Sequence, residues 1–222
     1  MRSATRAVAS TFGVLAGLAG VEHGIGEILQ GNVAPEGIEI KSWPDSELFA
    51  ILNGEPAMTV VPNLLVTGVL AIIVSLAVLV WAAAFVQRKN GGLVLILLSI
   101  MALPVGGGFG PPLLGTIAGI AGTKIDTPLA WWRTHLSLGA RRFLAAVWPW
   151  SFAVCLVAWL LMFPGSLIIW YLFPETDPNL MFGLILIAFG SLLATVVLAF
   201  AHDRQRQTEA GYAPAANEAA RA

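Results

Sequence analysis

Charge is scarce in this chain. Of its 222 residues only 11% are Asp, Glu, Lys or Arg, less than half the roughly 25% of an ordinary soluble domain. A soluble globular domain is therefore excluded as the default. Basic excess is missing too: the formal net charge is -1, and no basic–aromatic pattern is present to track a phosphate backbone, so nucleic acid is not an expected partner. The single cysteine, Cys155, lies in an apolar run, which excludes an internal disulfide and any paired-cysteine metal site. It reads as a small lipid- or helix-facing residue. The chain also has no phosphate loop, haem-attachment motif, HExxH pair or nucleophile elbow. Its apolar runs carry almost no ionisable side chains. The sequence thus reads as a non-enzyme, with no cofactor and no resident metal.

What it has instead is apolar length. Hydrophobic residues make up 57% of the chain and the mean hydropathy is +0.80. Runs of about 20 apolar residues are long enough to cross a bilayer. The expected fold is all-α, a polytopic membrane helix bundle with four spans at about 7–29, 64–86, 150–173 and 180–201. A cleaved signal peptide is the alternative for the first run, but there is no clear Ala-x-Ala cleavage site. Gly13, Gly17, Gly20 and Gly24 instead form one helical stripe, the mark of a retained helix that packs closely on another. Gly68, Ala71 and Ser75 give the second span a similar face, and Gly115 and Gly119 do so further on.

The stretch 103–114 interrupts this pattern with four glycines and three prolines. Helix does not pass cleanly through it, because glycine is entropically costly and proline lacks a donor. The apolar halves on either side reach only about 15–20 Å at 1.5 Å per residue, short of the roughly 30 Å hydrocarbon core. Residues 91–125 are therefore expected to form a re-entrant hairpin, with five or six spans as the alternative. The basic residues agree. Arg88 and Lys89 precede the stretch and Lys124 follows it, and nine of the twelve Lys and Arg fall in segments assigned to one side. Under the positive-inside rule that side is cytoplasmic. Both termini are then cytoplasmic, the default membrane is the plasma membrane, and the acidic polar segment 30–62 lies outside. At about thirty residues it is long enough to need some structure of its own.

Asp126-Thr127-Pro128 is a helix-start signal. It opens a cytoplasmic interfacial amphipathic helix over 128–147, anchored by Trp131 and Trp132. Pro149 suits the start of the next span, Trp148/Trp150 and Trp170/Tyr171 mark its two interfaces, and Pro164-Gly165 predicts a kink. The tail 207–222 is polar and alanine-rich and reads as disordered.

Two clusters carry candidate chemistry. Broken helices expose carbonyls and amides at membrane depth, where transporters build their sites. The path candidates there are Gly106, Gly107, Gly108, Phe109, Gly110 and Leu113, with the amides of Leu113, Leu114 and Gly115 as anion donors. The second is Glu22-His23-Gly24-Ile25-Gly26-Glu27, where His23 and Glu27 are i,i+4 neighbours that suit a proton relay or polar gate. A tight packed turn and an interfacial polar cap are the plainer readings of the two. His135 and His202 read as solvated or headgroup-facing. Two functions follow. One is permeation or transport of a small solute or ion at the broken helix. The other is a noncatalytic scaffold that docks a second copy or a partner subunit in the bilayer through its small-residue faces.

Overall fold

The structure, a computed structural model, describes residues 3–44, 54–127, 135–165, 168, 172 and 178–219, with side chains beyond 208 left aside. Among the described residues there are six helices: α1 (Ala4–Leu29), α2 (Leu64–Ala84), α3 (Gly91–Ala102), α4 (Gly110–Gly122), α5 (Leu138–Met162) and α6 (Pro178–Ala219). Four stretches, in α1, α2, α5 and α6, are long and apolar enough to cross a membrane. The fold is thus all-helical in its framework, as befits a membrane protein. Between α1 and α2 the polar segment folds back as two short antiparallel strands, β1 (Glu39–Lys41) and β2 (Pro56–Met58), with Ile40 opposite Ala57.

The helix starts follow from local chemistry. Ser3, Asn63 and Ser137 each turn a side-chain oxygen onto an amide three residues ahead, capping α1, α2 and α5. Such caps satisfy donors that a helix leaves orphaned. Pro111 and Pro112 sit in the first turn of α4, where a missing amide hydrogen is harmless.

The glycine stripe of α1 is spent on its neighbours within the chain. A Cβ at Gly17 would fall 2.7 Å from the Leu79 backbone nitrogen, one at Gly24 would meet the Gly68 carbonyl at 2.7 Å, and one at Gly13 would collide with Ala82. Helices α1 and α2 therefore touch backbone to backbone, which only small residues allow. The α3–α4 hairpin closes in the same way. Its two ends abut at Gly92, Gly119 and Thr123, and midway Gly115 packs on Ser99 and Ala16. The core runs from Val8 and Phe12 through Leu95 and Leu114 to Cys155, Trp159 and Leu192, joining this bundle to the α5–α6 pair. Phe12 meets Phe152 edge-on at 5.7 Å.

A polar clamp ties the last helix to the first. The Asp203 carboxylate of α6 accepts from the Ala4 amide at 2.7 Å and from the Thr5 amide at 2.9 Å. It holds the positive end of the α1 dipole. The clamp lies at the end of the bundle remote from the strands.

Several expected boundaries change. Helix α5 runs from Leu138 straight through Pro149 to Met162, so the interfacial helix expected over 128–147 and the span expected over 150–173 do not separate at 148–150. Ser137 supplies the start that Pro149 was expected to mark, and the helix carries Pro149 internally, at the cost of one ladder bond and crowding against the preceding turn. Phe163 is extended, as the residue before a proline prefers, so Pro164-Gly165 follows the end of α5 instead of kinking it. Helix α6 continues to Ala219 through the tail expected to be disordered, where alanine is the strongest helix former. The Thr127 hydroxyl donates back to the Lys124 carbonyl at 2.9 Å. The helix start expected at Pro128, Trp131 and Trp132, and Trp170 and Tyr171, lie outside the described residues.

Candidate functional site

The two sequence clusters meet. The turn between α3 and α4 pairs with the chain just after β2: Val60 N–H donates to the Pro104 carbonyl and Gly106 N–H to the Met58 carbonyl, both at 2.9 Å. Thr59 and Val105 form an antiparallel bridge. The turn thereby lies across the last turns of α1. Gly106 and Gly108 take φ of +91° and +75°, left-handed backbone that glycine adopts without strain. A Cβ at Gly106 would strike the Glu27 carboxylate, and one at Gly108 the His23 imidazole. These glycines are needed on two counts, backbone conformation and close approach.

Beneath the turn lies a chain of polar groups. His23 Nδ1 is 2.9 Å from Ser42 Oγ, and the Ser42 hydroxyl donates to Glu27 Oε1 at 3.2 Å. A hydroxyl has one proton to give, so with Ser42 donating to Glu27 the imidazole must donate from Nδ1. That leaves the Nε2 lone pair facing outward. It points to Glu55, whose Oε2 is 3.3 Å away but out of line for a full hydrogen bond. The Glu22 carboxyl closes on Glu55, and the Trp43 indole turns toward Glu22 without completing a hydrogen bond. Glu27 has no exposed surface and His23 only 4%. Glu27 Oε2 has no partner, although a buried polar atom ordinarily finds one.

Each group is held from the polar segment. Gln30 Nε2 shares its two protons among the carbonyls of Gly26, Lys41 and Ser42, at 3.2, 2.8 and 3.2 Å, lashing the chain after β1 to the end of α1. Ser42 N–H donates to the Glu55 carbonyl at 2.9 Å, which brings Glu55 over His23. Gly26 has no side chain, so Trp43 lies directly on α1. Behind the cluster the Thr59 and Thr67 hydroxyls join at 2.9 Å.

Burial, and after it the neighbouring Glu22 carboxyl, raise the Glu55 carboxyl well above the ordinary glutamate range. Two carboxyls this close hold a shared proton, since both cannot ionise cheaply. The arrangement can therefore store and pass protons along Glu22/Glu55, His23, Ser42 and Glu27. It also offers a donor set to a cation. One oxygen each from Glu22 and Glu55 and a ring nitrogen of His23 lie within 4.8 Å of one another, a nitrogen–carboxylate set that suits a borderline transition metal.

Other candidates stand apart. Gly107 packs on Ala102, and open space surrounds the Cβ position of Gly110. Phe109 and Leu113 are half-exposed on the outside of the helices, and Leu113 N–H already donates to the Phe109 carbonyl at 3.3 Å. That amide is not available to an anion. His135 is exposed, whereas His202 is partly buried against Trp148, with ring centres 4.9 Å apart. Sequence reasoning missed Ser42, Trp43 and Glu55 as members of the site. Their acidic and polar character was visible, but nothing in their spacing ties them to α1.

No known protein family, curated protein or solved structure matches this chain.

Proposed function

We propose that this is a multi-pass integral membrane protein that takes up and passes a small cation, in its simplest form the proton, at the cluster where the α3–α4 turn covers α1. In this reading residues 91–125 are a re-entrant hairpin entering from the basic, cytoplasmic face of the cell membrane, and its turn meets the acidic outer segment. Both termini are cytoplasmic. One observation carries the proposal: a run of exchangeable groups buried beneath a glycine turn, hydrogen-bonded from His23 through Ser42 to Glu27, with Glu55 3.3 Å from His23 Nε2 at its outer end. Ionisable groups sheltered at the end of a membrane helix are expensive to keep and characteristically functional.

The scaffold reading has less support, because its docking faces are used inside the chain: Gly13, Gly17, Gly20 and Gly24 meet α2 and α3, and Gly115 and Gly119 meet α3.

Proteoliposomes carrying an internal pH dye and a sodium- or potassium-driven membrane potential test the proposal. Purified protein should carry protons above the rate of empty vesicles. His23→Gln and Glu27→Gln should each cut the flux about a hundredfold, the lower end of the scale for losing a positioned proton-transfer group, while helical content by circular dichroism stays unchanged. Equal flux in wild type and both variants, or none above empty vesicles, overturns it.

A further inference from the structure

At the opposite end of the bundle, α5 and α6 flank an open cleft of about 350 Å³ lined by Arg142, Ala145, Ala146, His202, Gln205 and Arg206. This volume falls within the range of about 300–1,000 Å³ typical of small-molecule sites. Its walls carry two guanidinium groups and an imidazole but no carboxylate. Asp203, beside His202, accepts from the Ala4 and Thr5 amides and lies 3.6 Å from His202 Nδ1, so its charge is shared between the α1 terminus and that imidazole and does not face the arginines. Among the described residues neither Arg142 nor Arg206 has an ion-pair partner. The Trp148 indole lies against His202 and backs its ring.

Below this basic rim the outer face of the same helices is apolar. Phe143, Trp150, Val154 and Val157 on α5, and Leu193 and Val197 on α6, are all strongly exposed. A cationic cleft at the end of two helices whose exposed side chains are apolar further along matches a molecule with an anionic head and hydrocarbon tails. Paired guanidiniums are the groups best shaped to grip a phosphate through two parallel hydrogen bonds, and basic pockets between membrane helices take up phospholipid heads.

We infer that this cleft is a binding site for the phosphate head of an anionic phospholipid, seated by Arg142 and Arg206 with the acyl chains along α5 and α6. The inference is independent of the cation site, and of the chain's orientation in the bilayer.

The test uses the full-length protein purified in a neutral detergent, with phosphatidylglycerol, phosphatidylcholine and inorganic phosphate as separate probes. Binding is read by native mass spectrometry and by the shift in thermal unfolding. Phosphatidylglycerol should stay bound and raise the unfolding temperature, while phosphatidylcholine and inorganic phosphate should do neither. Each basic side chain at an anionic lipid surface contributes about fivefold in affinity, so Arg142→Gln with Arg206→Gln should weaken phosphatidylglycerol binding roughly 30-fold. Arg88→Gln with Lys89→Gln, at another site on the chain, should leave it unchanged, and circular dichroism confirms that both double variants keep their helices. Equal retention of phosphatidylcholine, or phosphatidylglycerol binding that survives loss of both arginines, overturns the inference. Protection by inorganic phosphate in place of lipid does so too, because it marks a site for the free ion.

Discussion

Glu55 is the residue on which the candidate site turns most plainly, and its chemistry makes a testable statement. It sits beside Glu22 and over His23, and burial together with the Glu22 carboxyl raises its proton affinity. An ordinary glutamate titrates near pH ~4.3. Above that value the unfolded chain has released its proton while the folded chain still holds it. The folded state then binds more protons, so stability declines as pH rises from the ordinary glutamate range up through the raised value. Below the ordinary range the stabilisation is fully present. Thermal unfolding in detergent should therefore show the unfolding temperature falling as pH climbs through neutrality, with a slope of at most about 1.4 kcal/mol per pH unit for one proton. In Glu55→Gln, which keeps the shape and cannot ionise, that slope should flatten. A variant as pH-sensitive as the wild type would show that Glu55 is not the group responsible. At this scale the sequence was partly legible. Glu22, His23 and Glu27 stand together and announce themselves, whereas Ser42 and Glu55 look like any other polar residues of an outer segment.

Among the elements, the contact between α6 and the start of α1 is the most exposed to a single change. Asp203 is 8% exposed and binds two amides that the first turn of a helix otherwise leaves unpaired. Truncating it in Asp203→Ala should cost about 0.5–2 kcal/mol, the range for a lost helix cap. Amide hydrogen exchange read by mass spectrometry should become faster over residues 4–8 specifically, while exchange in α2 stays as it was. Asp203→Asn, with one oxygen left to accept, should fall between the two. An unchanged exchange rate at residues 4–8 in the alanine variant would remove the clamp from this account. Elements are also where the expected boundaries shifted most. Pro149 resembles a helix start, but Ser137 was already capping the helix twelve residues upstream, and one proline does not halt a helix whose flanking turns are intact.

For the whole molecule, the question is how the bundle lies in the bilayer. The α3–α4 hairpin brings Gly92 against Gly119 and Thr123 at one end and the turn at Gly106 against Met58 at the other. If the hairpin is re-entrant, single cysteines at Lys89 and Lys124 in a Cys155→Ser background should react with a membrane-impermeant maleimide from one side only. A cysteine at Glu36 should react from the opposite side. Labelling of positions 89 and 124 from opposite faces would exclude the re-entrant topology. Cys155 itself is fully buried and should stay unlabelled in the folded wild type, which makes the serine background a precaution.

By itself the sequence determined that the chain is helical, that four of its stretches suit a membrane, and that its glycines bring helices close together. Those properties follow from composition and from the 3.6-residue period, which are local. Only the tertiary structure decided that the glycine turn near residue 106 closes over His23 and Glu27, and that Glu55 and Ser42 complete the cluster. The physical reason is separation along the chain. Residues 23, 42, 55 and 108 belong to different parts of the chain, and what joins them is the Gln30 side chain together with backbone hydrogen bonds between the outer segment and the turn, which no periodicity encodes.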